Sequence, residues 1–274
     1  GSTGSTLIPK ECPMTPENIT AAQLRGRIRA AEWRKPTSGA ARGFVQANLV
    51  MLPQQEAFDF LLFCVRNPKP CPILDVLEAG VYEPKIAPGA DLRQDLPLYR
   101  IYRNGKLTEE VEAVTDTFSK DMVSFLLGCS FSFENALQSA GIPVRNITEG
   151  KNVSMYITKC ACMPAGPFFA PLVVSMRPMT PEQAVRAVQI TTRFHLTHGA
   201  PVHIGDPSQI GIEDIDRPDF GHPVAIEPGE VPVFWACGVT STLAATSTSL
   251  PLVITHAPGH MFVSDLKDED MTLF

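Results

Sequence analysis

Apolar residues recur along the first half of the chain in two different rhythms, which predict a mixture of helices and strands. A run of strand-forming residues predicts a strand at 44–52. Apolar spacing of three to four residues predicts helices at 16–35, 54–65 and 116–127. Asn104-Gly105 lies between two further apolar stretches and predicts a tight hairpin.

The second half has a more regular pattern, in which four segments open with proline and continue as an apolar strand. These segments are 171–177, 201–206, 232–237 and 251–256. Proline is tolerated as the first residue of a strand because its missing N–H disturbs the ladder least there. Thr180-Pro181 then predicts the start of a helix. The alternation of strands with helices predicts an α/β fold with a partly parallel sheet, a mixed α+β fold being the alternative.

Polar side chains follow these predicted strands at their carboxyl ends. Open α/β sheets bind their ligands at that edge. We therefore expect a shared cleft to which the strand ends contribute Ser175, Arg177, His203, Asp206, Trp235, Cys237, Thr255 and His256.

Composition places the chain among globular proteins. Of its 274 residues 44% are hydrophobic and 19% are charged, which excludes a disordered chain. A total of 23 Lys and Arg against 29 Asp and Glu gives a formal charge of −6, which argues against a nucleic-acid partner. No apolar run approaches the roughly 18 residues of a membrane span. We therefore predict a cytoplasmic protein with no membrane partner.

The run of Gly, Ser and Thr at 1–6 is typical of a cloning remnant, and 7–274 is predicted to be a single unit. The sequence leaves open whether the chain forms a homo-oligomer.

The chain has seven cysteines, and an odd number in a long chain does not suggest a disulfide framework. We therefore predict free thiols and a reducing compartment. His256 and His260 have the spacing of zinc-binding histidines, but Pro258-Gly259 prevents the helix that would align them. We therefore predict no bound metal. The sequence has no nucleotide-binding glycine motif, and we predict no cofactor.

The start of a helix near 130 is a candidate anion site. The hydroxyls of Ser130 and Ser132 and unpaired N–H groups would bind a substrate carboxylate, and Glu134 in the first turn is also predicted to contact substrate. Cys129 is a candidate nucleophile, because a helix N-terminus lowers the pKa of a thiol. The alternative is an ordinary helix cap beside a buried cysteine.

Two further groups are candidates for proton transfer and charge binding. His203 would be a general base if Asp206 orients its imidazole, whereas Asp206 alone would be only a helix cap. Glu230 is a second candidate acid–base group. Arg177 ends a buried strand and needs either an acidic partner or a bound carboxylate.

The remaining candidates are polar groups beside predicted strands. His256 and His260 are predicted to transfer protons or bind substrate. Asn48 interrupts an apolar strand and Cys237 ends another, and both are predicted to contact substrate.

Long motifs distributed over the chain resemble the D-glutamate cyclase family, whose bacterial members carry a hydro-lyase label. The motifs lie at 46–49, 87–93, 127–134, 141–145, 174–178, 199–207, 228–235 and 255–260. The resemblance implies two intertwined α/β subdomains and a lyase that removes water from a small amino acid or carboxylic acid. It most specifically implies cyclisation of D-glutamate to 5-oxo-D-proline. The alternative is a non-catalytic binding or regulatory protein for an amino acid or oxoproline.

Overall fold

The structure is a computed structural model and describes residues 18–272. The expected cloning remnant at 1–6 and Cys12 lie outside the described residues. The first helix, α1 (Ala21–Arg29), begins at Thr20, whose side chain forms a capping box with Gln23. It is therefore shorter at both ends than the helix predicted at 16–35.

Five further helices and eleven strands follow the order of the sequence. After α1 come β1 (Phe44–Pro53), α2 (Gln54–Arg66), β2 (Ile73–Leu77), β3 (Tyr99–Arg103), β4 (Lys106–Val111), β5 (Met122–Gly128), α3 (Phe131–Ser139), α4 (Arg145–Thr148), β6 (Ser154–Ala161), β7 (Pro171–Met179), α5 (Pro181–Thr191), β8 (His203–Ile204), β9 (Val231–Ala236), α6 (Val239–Thr246), β10 (Val253–His256) and β11 (Phe262–Lys267). Short 3-10 helices lie at His195–Thr197, Pro207–Ile210 and Asp268–Met271.

The strands form two sheets. The first has the order β2-β5-β1-β10-β3-β4, with β11 also paired to β1, and the second has the order β6-β7-β9-β8. Helix α6 contacts β1 and β10 of the first sheet and β7 of the second, so it lies between the sheets. The mixed α/β class is confirmed.

The partly parallel sheet is a wrong prediction, because every strand pair in the described residues is antiparallel. Continuous apolar strands usually indicate parallel sheets with both faces covered. Here the same burial arises in an antiparallel sheet, since β1 buries Val50 and Leu52 beside α2 on one face. Its Leu49 and Met51 lie in a second apolar cluster on the other face.

The helix predicted at 116–127 is also wrong, because this segment ends in strand β5, which lies between β2 and β1 in the first sheet. All seven residues of β5 are buried, and a fully apolar run cannot be assigned to helix or strand by its periodicity. The strand at 44–52, the helix at 54–65 and the hairpin at Asn104-Gly105 are confirmed.

Strands β10 and β11 lie along the same side of β1 and are joined by the loop 257–261. Val50 of β1 pairs with Thr255, while Ala47 pairs with Phe262. Asn48 therefore lies opposite the loop, where the ladder is interrupted. No helix in the described part of the chain is long and apolar enough to cross a membrane.

Candidate functional site

A cleft between the two sheets collects several of the predicted site residues. It is lined by Asn48, Cys129, Ser130, Cys237 and His256, and its empty volume, including the open mouth, is about 410 Å³. Asn48 is on the same face of β1 as Val50 and Leu52, which is the face that α6 covers. Strand periodicity therefore directs this amide into the cleft.

Two similar turns bound the cleft, each running from a buried strand through a cysteine into a helix. Strand β5 leads through Cys129 to Ser130, and β9 leads through Cys237 to Gly238. The two cap residues, Ser130 and Gly238, have the same backbone angles, φ −63° and ψ −17°. Two helix N-termini therefore point toward one cleft.

The backbone at each turn is arranged in the same way. The N–H of Phe131 donates to the sulfur of Cys129, and the N–H of Val239 donates to the sulfur of Cys237. The N–H groups of Ser130 and Gly238 have no hydrogen-bond partner in the described residues. Unpaired donors at a helix N-terminus attract a carboxylate.

Both cysteines of the cleft are protonated at neutral pH. Burial raises the pKa of the Cys129 thiol to about 12 and that of Cys237 to about 11, and the N–H donors only partly oppose this. The expectation that the helix N-terminus lowers the Cys129 pKa is therefore wrong, because desolvation is the larger effect. The six cysteines in the described residues are free, as predicted.

Asn48 and His256 form a buried pair at the wall of the cleft. His256 Nε2 lies 3.0 Å from Asn48 Oδ1, and His256 Nδ1 lies 2.8 Å from the carbonyl oxygen of Ala257. The amide nitrogen of Asn48 donates to the carbonyl oxygen of Gly128 at 3.0 Å, which fixes Oδ1 toward the histidine. Both ring nitrogens of His256 therefore face oxygens that only accept hydrogen bonds.

The protonation of His256 is set by two opposing influences. Burial, aided by the charges of His260 and Arg100, lowers its pKa to about 4, so the ring is neutral at pH 7. Only the imidazolium, however, can donate to Asn48 and Ala257 at once. A protonated His256 ring would therefore donate one N–H to Asn48 Oδ1 and the other to the carbonyl oxygen of Ala257.

Arg177 has an internal acidic partner, which is one of the two possibilities that the sequence left open. It is fully buried and forms an ion pair with Glu134. Arg177 Nη1 donates to Ser175 Oγ at 3.0 Å, and Nη2, which also pairs with Glu134, donates to Ser130 Oγ at 3.1 Å. Neither Arg177 nor Glu134 lines the cleft. The pair holds Ser130 at the start of α3 instead of contacting the cleft directly.

Ser132 lies away from the cleft, beside the carboxyl of Asp268. Burial raises the pKa of Asp268 to about 6, against the hydrogen bond that it accepts from Asn135 at 2.9 Å. The helix begins at Phe131 with Ser130 as the cap residue, so Ser132 lies within its first turn.

His203 and Asp206 are not among the residues that line the cleft. His203 Nε2 lies 2.7 Å from the backbone oxygen of Asp206, whereas the Asp206 carboxylate accepts from the N–H of Ser208 at 2.9 Å. The carboxylate thus caps a 3-10 helix and does not orient the imidazole. The capping alternative for Asp206 is confirmed.

Glu230 and His260 also lie outside the cleft lining. Glu230 forms an ion pair with Arg145 at the turn before β9. His260 Nδ1 lies 2.9 Å from the carbonyl oxygen of Pro258, in the loop that borders the cleft. Within residues 18–272, no group of three or more His, Cys, Asp or Glu side chains is placed to hold a metal ion.

Several residues that line the cleft were not predicted from the sequence. Met155, Asn152 and Gly238 line the cleft, and the Cys237 thiol donates to the Met155 sulfur at 3.6 Å. Gly238 directly follows a cysteine that comes after an apolar strand, as Ser130 follows Cys129, and this shared position is the one signal that marks it. Met155 in β6 and Asn152 just before it show no sequence pattern that distinguishes them from neighbouring residues.

Comparison with known proteins places the chain among a large group of relatives. The profile of the family described as D-glutamate cyclase matches residues 123–265. A protein of Syntrophobacter fumaroxidans named "Putative hydro-lyase" is 60% identical over 249 residues, which cover 90% of this chain and 95% of that protein. The "Putative hydro-lyase YcsI" of Bacillus subtilis is 54% identical over 261 residues, covering 95% of this chain and all (100%) of that protein.

Among solved structures, a nitrogen repressor-like protein from Methanococcus jannaschii is similar with a TM-score of 0.36 and 10% identity. The match covers 89% of this chain and 97% of that one.

Proposed function

The chain belongs to the D-glutamate cyclase family, and from this premise we propose that it is a hydro-lyase that cyclises D-glutamate to 5-oxo-D-proline. The reaction joins the amine nitrogen to the γ-carboxyl carbon and expels one carboxyl oxygen as water. Two protons must therefore travel from the ammonium nitrogen to that oxygen.

One observation carries the proposal: a neutral buried histidine lines the cleft and has an acceptor at each ring nitrogen. Burial lowers the pKa of His256 to about 4 and leaves the ring neutral at pH 7, and the negative charge of the bound substrate would raise that pKa, so that the ring accepts a proton from the ammonium. Once protonated, it is stabilised by Asn48 and Ala257. Asn48 lines the cleft and Ala257 does not, so the Nε2 edge is the one nearer the substrate.

In this mechanism His256 acts first as a base and then as an acid. It removes a proton from the ammonium, the free amine attacks the γ-carbon, and the imidazolium returns the proton to a carboxyl oxygen. A second transfer moves the remaining surplus proton from nitrogen to the same oxygen, and the C–O bond breaks to release water. The unpaired N–H groups of Ser130 and Gly238 stabilise the negative charge on the carboxyl group.

The substrate must be folded so that its amine meets its own γ-carboxyl group. Holding the two groups together removes much of the entropic barrier to ring closure. The cleft supports this, since the starts of α3 and α6 both line it and its empty volume is only about 410 Å³.

The test is the conversion of D-glutamate, followed by NMR or mass spectrometry as loss of D-glutamate and gain of 5-oxoproline. We expect the wild-type protein to convert it and His256→Gln to be slower by roughly 10²–10⁴-fold, the usual contribution of a general acid–base group. His195→Gln is the matched control, because His195 is exposed and lies outside the cleft lining, and its rate should stay within about threefold of wild type.

Two results would contradict the proposal. Wild-type protein that binds D-glutamate without forming oxoproline would favour a binding protein over an enzyme. Folded His256→Gln that reacts at the wild-type rate would remove His256 from the mechanism and leave the overall reaction intact.

A further inference from the structure

A second compartment adjoins the cleft and shares part of its wall. Met155, Val239, His256 and Pro258 line both spaces. The second compartment extends toward Arg100 on β3 and Thr242 on α6, and it has about 490 Å³ of empty volume with its open mouth included. His256 thus lies in the wall that the two adjoining spaces share, and the two together are called the joined cavity below.

Two polar atoms in the wall of this compartment lack partners. Six buried side-chain nitrogen or oxygen atoms in the described residues make no hydrogen bond, and two of them are Arg100 Nε and Thr242 Oγ1. These two come from different elements, yet both residues line the same space. An unpartnered buried polar atom is destabilising unless a bound group satisfies it.

The charge distribution of the joined cavity favours an anion. Among the described residues that line either compartment, Arg100 is the one lysine or arginine, and there is no aspartate or glutamate. Arg100 makes a single ion pair, with Glu110 at 3.2 Å on its outer side, where the arginine side chain is 30% exposed. Most of its N–H donors remain available for a planar acceptor such as a carboxylate.

Two separate anion-binding features therefore lie in one cavity. The first is the pair of free N–H groups at Ser130 and Gly238, and the second is Arg100 with Thr242. We infer that Arg100 and Thr242 hold a second carboxylate of the substrate, so that the joined cavity selects dicarboxylic over monocarboxylic acids. This inference rests on the proposed function only in taking the cleft as the substrate site.

In the cyclisation of D-glutamate, the non-reacting α-carboxylate would occupy the Arg100 compartment. The γ-carboxyl group would then lie beside His256 and the helix starts. This division of the substrate keeps the charged, non-reacting group away from the carboxyl that loses oxygen.

The test compares the binding of two unreactive acids, glutarate and butyrate, by isothermal titration calorimetry. The two share a four-carbon acid chain, and glutarate adds a second carboxylate. Arg100→Met should weaken glutarate binding by about tenfold or more, the size of a lost charge-assisted hydrogen bond, and leave butyrate binding unchanged. Arg103→Met is the matched control, because Arg103 is on the same strand but pairs with Glu109 away from the compartment. It should change neither affinity.

Thr242→Val provides a second, nearly isosteric test in case Arg100→Met does not fold, and it should weaken glutarate alone. Equal loss of glutarate and butyrate binding, an unchanged glutarate affinity, or a wild-type protein that binds neither acid would overturn the inference. The binding measurement does not depend on turnover, so the two proposals can fail separately. If the wild-type protein forms no oxoproline but Arg100→Met selectively lowers the affinity for glutarate, the cyclase proposal is refuted and the dicarboxylate site is retained.

Discussion

Asn48 depends on a glycine in a distant part of the chain for its position. A Cβ atom at Gly238 would lie 2.1 Å from Asn48 Nδ2, far inside van der Waals contact. The backbone of Gly238 has φ −63°, which any residue can adopt, so conformational freedom does not explain the glycine. Its role is to leave room for the amide that contacts His256.

Gly238→Ala should therefore lower turnover by displacing Asn48 from His256. We expect a loss of about tenfold or more in kcat, with a stability cost of about 1–3 kcal/mol from overpacking. The measurements are the rate of oxoproline formation and the free energy of unfolding in urea.

Gly26→Ala is the control for this substitution, since Gly26 lies within α1 and nothing approaches its Cβ position within 4 Å. It should leave turnover unchanged and stabilise the protein by about 0.5–1 kcal/mol. A Gly238→Ala enzyme with the wild-type rate would show that Asn48 can move without loss of catalysis.

At the level of single residues, the sequence predicted which polar groups enter the cleft better than what they contact. Asn48 and His256 stood out because they interrupt or end apolar strands, and both line the cleft. The partners of His203 and Asp206 did not follow from their spacing, because a backbone oxygen competed with the carboxylate for the ring. Arg100 and Thr242 gave no signal, since each looks like an ordinary residue of an amphipathic strand or helix.

Arg177 and Glu134 connect two elements from different parts of the fold. Arg177 comes from β7 and Glu134 from α3, and the side chains are 0% and 3% exposed. The rings of Phe133 and Trp235 contact each other and both lie near the guanidinium, with centroids 5.1 Å and 5.4 Å from its carbon. A buried pair of this kind stabilises little in itself, but the loss of one partner leaves an uncompensated charge in the core.

Substitution of either partner alone should destabilise the protein by about 3–5 kcal/mol. We expect Arg177→Met and Glu134→Gln each to show this loss, and the double variant to cost clearly less than their sum. Urea unfolding of the four proteins gives the coupling free energy. Strictly additive losses would mean that the two side chains act independently.

At the level of elements, predictions from the sequence succeeded where helix caps and turn residues mark the end of an element. Thr180 caps α5 with Pro181 in its first turn, and Asn104 and Gly105 have positive φ in the hairpin. The prediction for β5 failed because this strand is buried on both faces, which removes the alternation of apolar and polar residues that identifies a strand. The prediction of a partly parallel sheet failed for a related reason, because the local sequence of a buried strand does not show which strand it will pair with.

Over the whole molecule, buried titratable groups influence stability in opposite directions. Burial lowers the pKa of His198 to about 4, as it does for His256, and raises that of Asp268 to about 6. As the pH falls below 6.5, the unfolded chain protonates its histidines while the folded protein does not, so stability is lost. As the pH falls through 6, Asp268 is protonated first in the folded state, so stability is gained.

The two histidines outweigh the one aspartate, and we expect the free energy of unfolding to fall by about 2–3 kcal/mol between pH 7 and pH 5. His198→Asn should remove about half of the histidine contribution, and asparagine tolerates the positive φ of 87° at this position. Asp268→Asn should raise stability at pH 7 and make the decline toward pH 5 steeper.

Urea unfolding at pH 7, 6 and 5 checks all three proteins. A pH-independent wild type, or an Asp268→Asn variant that is less stable at pH 7, would contradict the assignment of these groups.

The pairing of β1 with both β10 and β11 has a consequence for how the protein is made. Residues 44–53 leave the ribosome some two hundred residues before 253–267, and until then one edge of β1 has no strand to cover it. Pairings so distant in sequence form slowly, because a long loop must close before they contribute. The cleft needs His256 from this late segment, so the nascent chain is inactive until residues 253–267 have been made. Until β10 and β11 have been made, the unpaired edge of the apolar strand β1 is where a chaperone would bind and where aggregation would start.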